Sequence, residues 1–389
     1  MQTRRTLFTT VAALAGAAAL AACGAPQGDA GAGAGSKSTA PATLSFATLY
    51  KEDPSWNLSK AQLTKFEQKF PHIKVTPDWI PGSTGDYLKK AQTYLAAGQN
   101  PDVLYIHYLQ TAIFGSQNAL LDLSKHAAQD KAFNQGDFVQ GVWDHFKYKD
   151  KPAGVPWYSG PHTVLFNKSL FQRLGVKDPE ALEKEGNWTW ETMRDAAQKL
   201  TKGSPGSADR SIGFSSIGGL DRLGRWERTV WQNGGELFNK DFTKSQFSSP
   251  AAVTALQFFA DIYAKDRTVV SADEQRQLVS SGSAFLSGKA GMEYGVARDG
   301  MTALVDGAQK AGFNLGLVPL PKGKAGRPNI DGPQAYGVGA ATKFPDAAWE
   351  LVKWYAEETM QAERLELGAS VPVRKSMQKH KSFVGALRP

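Results

Sequence analysis

Cys23 is the only cysteine in 389 residues, and its surroundings point to one use for that sulfur. A lone thiol closes no internal disulfide. Ahead of it stand Arg4 and Arg5, then twelve consecutive apolar or glycine residues from Val11 to Ala22. That run falls short of the roughly 20 residues a membrane-spanning helix needs, but it suits the core of a signal peptide. The tetrapeptide LAAC, residues 20–23, resembles a bacterial lipobox, in which the signal is cut before the cysteine and the sulfur takes a diacylglycerol. Arg4-Arg5, preceded by Thr3 and followed by Leu7 and Phe8, also resembles a twin-arginine export signal. An ordinary secretory signal is the alternative.

Other reactive groupings are missing. The six histidines, at 72, 107, 126, 145, 162 and 380, form no pair at metal-ligand spacing, so neither a metal site nor a cofactor is expected. No serine occupies a Gly-x-Ser-x-Gly elbow. GSAFLSGKA, residues 282–290, has one residue too many between its glycines for a phosphate loop and ends in alanine where Ser or Thr would hold magnesium. An acid/base pair of carboxylates is a tertiary feature, and 37 acidic residues leave it open.

The elements that must position any site begin after residue 40. Residues 24–41, GAPQGDAGAGAGSKSTAP, contain no bulky apolar side chain and read as a flexible tether. The remaining 350 or so residues exceed what one core usually supports, which predicts two domains. The formal charge of +8 falls to +6 once Arg4 and Arg5 leave with the signal, and acidic residues are interleaved throughout. That excludes a nucleic-acid partner and fits a mildly basic surface near anionic lipid.

TLSFATL (43–49) reads as a strand, and LSKAQLTKFEQKF as a helix that Pro71 stops. HIKVTPDW is a second strand, GDYLKKAQTYLAAG a second helix closing on Gly98, and DVLYIH a third strand. This order predicts an α/β fold with a parallel sheet, whose ligands sit at the carboxyl ends of the strands. The alternation restarts with the strands HTVLFN and IGFSS and with helices capped by Thr189 and by Ser249-Pro250. The second of these carries an expected buried stripe of Ala252, Ala255, Leu256, Phe259 and Tyr263. FNLGLVPLP and AYGVGA are later strands, and Pro345 opens a helix. Trp190, Trp349 and Trp354 lie in helices and are read as packing residues.

Several stretches, in order, resemble the extracellular solute-binding proteins of ABC transporters, the sugar-binding group related to maltose-binding protein. They are FEQKFPHIKV, AAGQNPDVLYI, YKDKPAGVPWYSGPHTVLFNKSLFQRLGV, WTWETMRDAAQKL, NGGELFNKD, AFLSGKAGMEYG and GASVPVRKS, spanning most of residues 41–377. The resemblance implies a two-lobe periplasmic-binding-protein fold of the class II type, each lobe a sheet flanked by helices, with the ligand cleft between them. Residues 1–22 would be the signal and 23–40 the linker. The first lobe would take 41–158 and 318–362, and the second 163–315 and 363–389.

A sugar site needs flat aromatic platforms together with planar donors and acceptors. The resemblance then selects Trp157 and Tyr158 at the crossover, Trp79 near the end of the second strand, and His107 and Tyr108 at the end of the third. It adds Tyr50 with Lys51 and Glu52 after the first strand, and Tyr294 after the strand in KAGMEYG. Asp221, Arg222, Arg225 and Trp226 in DRLGRWERTVW suit hydroxyl or carboxylate recognition, since a guanidinium donates two parallel hydrogen bonds. Asp331 and Tyr336 in DGPQAY, and Arg374 in VPVRKS, complete the set.

The implied function is that of a monomeric receptor without catalytic activity, anchored outside the cytoplasmic membrane through Cys23. It would deliver a sugar or oligosaccharide to an ABC permease. The rivals are an anchored glycosidase and a binding protein for another solute, such as a polyamine, an organic anion or a metal chelate. Arg222, Arg225 and Arg374 leave acidic sugars open.

Overall fold

The computed structural model describes residues 40–217, 223–239, 243–277, 283–329 and 332–381. The lipobox, Cys23 and the tether lie outside the described residues.

Eleven strands are present among the described residues. They are β1 (Ala42–Tyr50), β2 (Ile73–Pro81), β3 (Val103–His107), β4 (Lys147–Tyr148), β5 (Lys151–Pro152), β6 (Val155–Tyr158), β7 (Thr163–Asn167), β8 (Ile212–Ser216), β9 (Ala290–Val296), β10 (Leu315–Pro319) and β11 (Gln334–Val338). One five-stranded sheet runs β2-β1-β3-β11-β6, and a four-stranded sheet runs β10-β7-β9-β8. β4 and β5 form a small hairpin.

The first sheet follows from the local chemistry of its crossovers. Asp53 accepts a hydrogen bond from the Trp56 amide, and Pro54 opens the helix Pro54–Lys69, which carries the chain from β1 to a parallel β2. This helix starts four residues before the stretch expected from sequence, because Asp53-Pro54 is itself a start signal. Ser83 and Asp86 form a reciprocal capping box at the start of the helix Thr84–Ala96, which leads to β3, parallel to β1. β11 then inserts antiparallel between β3 and β6.

The second sheet has its own core, including Val164, Phe166, Met193, Phe214, Phe259 and Met292. The buried stripe of the helix Pro250–Ala264 is Ala252, Ala255, Phe259 and Ile262. Tyr263, expected in that stripe, is 38% exposed, because the apolar face is turned one residue toward Ile262. Trp190, Trp349 and Trp354 are buried, as read from their helical positions.

The chain therefore crosses between the sheets after β6 and again between β10 and β11. β10 pairs with β7 through Pro319, so the second sheet keeps a strand the resemblance gave to the first lobe from residue 318. The stretch from 363 onward, expected in the second lobe, packs on the first as far as it is described. Val373 belongs to the first core, its carbonyl accepts from the Val139 amide, and Arg374 pairs with Asp137 at 3.3 Å. Among the described residues, the apolar and ionic partners named for this segment stand on the first sheet's side. Residues 382–389 lie outside the described residues.

Candidate functional site

Strand register decides which side chains reach one edge of the first sheet. Tyr50 stands opposite Pro81, and Gln334 stands opposite both His107 and Tyr158. The carboxyl ends of β1, β2, β3 and β6 and the first residue of β11 thus share that edge. In the second sheet Thr163 opens β7 opposite Pro319 and Val296, where β10 and β9 end. Residues 159–162 join β6 to β7, which brings the two edges together. A Cβ at Gly160 in that link would meet the Tyr158 hydroxyl at 2.6 Å, so a larger residue there would displace the end of that ring.

A side-chain hydrogen bond crosses the seam. The Tyr108 hydroxyl donates to Glu227 Oε1 at 2.7 Å. Glu227 lies on the helix Leu223–Gln232 and is 3% exposed. Burial pushes its carboxyl up to about 7, against the Tyr108 hydrogen bond and the neighbouring Arg228, which act the other way. The His107 ring, 4.6 Å from that of Tyr108, is held down to about 4, first by burial and then by Lys51 and His145. It is therefore uncharged at neutral pH. His145 meets Tyr108 edge-on at 5.3 Å. Two carbonyl oxygens, Gln334 Oε1 and Asn329 Oδ1, are buried with no hydrogen-bond partner among the described residues. The other end of the Asn329 amide donates to the His162 carbonyl at 2.7 Å, which ties it to the crossover.

The residues selected from sequence divide into three groups. Tyr50, Trp79, His107 and Tyr108 are partly buried at the strand-end edge, and Tyr158 is buried beside them. Tyr50 and Trp79 meet edge to face at 6.0 Å, and the Lys60 ammonium sits 3.7 Å from the Tyr50 centroid.

Trp157, Tyr336, Tyr294 and Arg374 are instead packed into the lobes, a correction to their expected place in the cleft. Trp157 is 1% exposed and stacks on Tyr336 at 5.2 Å, with the Arg364 guanidinium 4.2 Å from its centroid. The Tyr336 hydroxyl shares a hydrogen bond with Thr48 at 3.3 Å. Tyr294 lies inside β9 rather than after it, packed on Phe259 at 5.6 Å with Arg228 over its ring. Arg374 donates to the Ala356 carbonyl at 2.6 Å and pairs with Asp137, all within the first lobe.

Asp221, Arg222 and Asp331 lie outside the described residues, as does the side chain of Trp226.

Glu227, Gln334 and Asn329 are the edge residues that sequence reasoning passed over. Glu227 and Gln334 both lie inside stretches already singled out, DRLGRWERTVW and DGPQAY. Gln334 carried a signal, a polar residue opening the apolar strand β11, whereas Glu227 lies in the middle of its helix and carried none. A cavity of about 420 Å³ lies elsewhere in the first lobe, lined by Ser45, Thr76, Asp78, Tyr94 and Asn100 among others, beside the middle of β1 and β2 and the entry to β3.

The profile of a family described as bacterial extracellular solute-binding protein matches residues 53–362. The diacetylchitobiose binding protein DasA of Streptomyces coelicolor is 23% identical over 384 residues, covering 96% of this chain and 83% of that protein. Among solved structures, the GacH receptor of Streptomyces glaucescens superposes with a TM-score of 0.70 at 22% identity, over 90% of this chain and 84% of GacH. Maltose-bound MalE3 of T. maritima gives 0.67 at 22% identity, over 89% of this chain and 85% of MalE3.

Proposed function

The chain belongs to the bacterial extracellular solute-binding protein family, and from that premise we propose that it captures a sugar or oligosaccharide between its lobes and hands it to the permease of an ABC importer. The observation that carries this reading is the polar seam itself. Tyr108 of one lobe donates to the buried Glu227 of the other, beside a strand-end edge where Tyr50 and Trp79 keep part of their rings open. Aromatic rings take the apolar C–H faces of a sugar, and planar polar groups replace the water its hydroxyls lose. Relatives described as binding diacetylchitobiose, acarbose and maltose support the same class.

On this reading Tyr50 and Trp79 stack on the ligand, and His107, Tyr108, Tyr158 and Glu227 bond its hydroxyls. Asp221, Arg222 and Asp331, outside the described residues, and Trp226, whose side chain lies outside them, complete the proposed ligand-binding set. The first lobe takes residues 41–158 with 334–377, and the second takes 163–320. The ligand touches both lobes only when they close, so binding shifts the population toward the closed form. No bond of the sugar is broken, and the protein works as a monomer.

Thermal unfolding with a panel of mono- and oligosaccharides tests the reading. A true ligand at about 100 times its Kd adds ~2.7 kcal/mol of stability, a readily measured rise in Tm. Cleaved sugar recovered from the same tubes would favour the anchored glycosidase instead. The lipobox supports anchoring through Cys23 outside the cytoplasmic membrane. Cys23→Ala is expected to shift the protein from the membrane to the soluble fraction after cell lysis. Full membrane retention of the variant would count against the anchor.

A further inference from the structure

We infer that the Tyr108–Glu227 hydrogen bond is a latch built into the protein itself, which draws the two lobes together before any solute arrives. The inference goes beyond the capture reading above and rests on the two-lobe fold, whatever solute the cleft takes.

The bond joins parts of different lobes, each held in place by its own lobe. Tyr108 opens the short turn Tyr108–Gln110 at the end of β3, where its amide donates to the Pro333 carbonyl at 3.2 Å and the His107 amide donates to Gln110 Oε1 at 3.1 Å. Its ring is flanked by those of His107 at 4.6 Å and His145 at 5.3 Å. Glu227 stands on the helix Leu223–Gln232 of the other lobe, 3% exposed, and its Oε1 accepts from the Tyr108 hydroxyl at 2.7 Å. Both ends of the bond belong to the chain, so its energy favours approach of the lobes with or without a solute.

The same helix is fastened to the second crossover. At its last residue the Gln232 carbonyl accepts from the Ala325 amide at 2.7 Å, Nε2 donates to the Pro328 carbonyl at 3.0 Å, and Oε1 accepts from Trp190 Nε1 at 2.9 Å. Asn329, next after Pro328, donates to the His162 carbonyl of the first crossover at 2.7 Å. Five helical positions separate Glu227 from Gln232, about 7.5 Å along the axis. Rotation of the lobes about the crossovers therefore carries Glu227 away from Tyr108, and a hydrogen bond is lost once its ends separate beyond about 3.5 Å. An opening cleft must break the latch.

Closing on this latch also takes up a proton. Between the lobes, burial pushes the Glu227 carboxyl up to about 7, against the Tyr108 hydrogen bond and Arg228. Separated lobes return it to water and toward the ordinary value of 4.5. The raised value belongs to the closed form, so the latch is strongest below about pH 4.5 and weakens as pH climbs through about 7. A protonated carboxyl keeps an oxygen that accepts from Tyr108. Among the described residues, the other charged or titratable groups around the pair are His107, His145 and, acting on His107, Lys51. Each rise in the resting closed fraction tightens capture of a solute that binds the closed form, in proportion.

Small-angle X-ray scattering of the full chain without added sugar makes the test, at about pH 6 and then from about pH 5 to pH 8. Tyr108→Phe keeps the ring and removes the hydroxyl. It is expected to shift the closed-to-open ratio about tenfold toward open, seen as a larger radius of gyration. Glu227→Ala should open the chain to the same extent, and the double variant no further than either single one. Equal radii for wild type and a folded Tyr108→Phe overturn the latch, as does additive opening in the double variant. Glu227→Gln retains an acceptor for Tyr108 and has no proton to release, while His107, His145 and Lys51 are common to it and wild type. Wild type is therefore expected to expand relative to Glu227→Gln as pH rises. Parallel curves mean that closing does not bury Glu227, which overturns the latch as well. That comparison decides the question even where Tyr108→Phe does not fold. No solute enters the measurement, so failure of the latch leaves the sugar reading standing, and failure of every sugar to bind leaves the latch standing.

Discussion

Trp157→Ala is expected to unfold the ligand-free protein at clearly lower urea, a loss of about 3–5 kcal/mol. The ring is 1% exposed and lies among Trp56, Tyr336 and Tyr355 at centroid distances of 5.8, 5.2 and 6.4 Å. Its removal opens a cavity bordered by three large rings, of which Tyr336 and Tyr355 pack on each other at 4.8 Å and Trp56 on Tyr105 at 6.0 Å, so they cannot readily collapse into the space. A second cost comes from Arg364. That guanidinium is fully buried, and its Nη2 donates to Ser59 at 2.7 Å and Gln62 at 3.1 Å, both neutral partners. Burial lowers it to about 10. The face of Trp157 is part of what steadies this cation, and a buried charge stripped of its partner is strongly destabilising. Trp157→Phe should recover much of the loss. Equilibrium urea unfolding without sugar makes the measurement. Unchanged stability combined with abolished sugar binding would return Trp157 to the cleft as a platform.

Glu227→Gln is expected to grow more stable relative to wild type as pH rises, by up to ~2–3 kcal/mol between about pH 5 and pH 8. In the folded chain the Glu227 carboxyl titrates near 7, against an ordinary value of 4.5. The folded state therefore keeps a proton that the unfolded state releases. The stability this gives is full below about pH 4.5 and is lost as pH climbs through about 7. Glutamine does not titrate, so the variant escapes that loss. The groups facing Glu227 are the Tyr108 hydroxyl and the Arg228 guanidinium, neither of which changes charge in this window. His107 moves the opposite way, since its folded value near 4 lies below the ordinary 6.5, and its contribution is lost as pH falls. That trend is common to both proteins and cancels in the difference. Tm measured for both chains from pH 5 to pH 8 at fixed ionic strength reads the effect. A pH-independent gap would mean that Glu227 keeps the ordinary carboxyl pKa.

The strands and helices were legible because their apolar periods and caps are local. The site was legible only as a neighbourhood. Side chains two apart on a strand share a face, but they differ by about 6.6 Å in depth from its end. Gln334 and Tyr336 show the consequence. The first lies at the edge with an unmet carbonyl, and the second is fully buried against Phe46 at 5.0 Å. Tyr294 is likewise two residues short of the end of β9 and is buried, whereas Trp79, two short of the end of β2, stays half open because β2 has a neighbour on one side only. Sequence places an aromatic in the right strand without giving its depth, and depth decides between packing and contact. Glu227 was hidden differently. Within DRLGRWERTVW the arginines and tryptophan drew attention as recognition groups, and the pairing of a glutamate with a tyrosine 119 residues earlier has no local signature.

The placing of β11 between β3 and β6 bears on the order in which the molecule assembles. Among the described residues β6 has no strand partner in the first sheet other than β11, and β11 is made only after the whole second sheet, from β7 to β10, has been synthesised. The second sheet comes from one continuous stretch and can complete itself, while the first waits with a gap in its middle until residue 338 arrives. The interior of the discontinuous lobe is thus the last to close during biosynthesis, and the inserted lobe is complete before it.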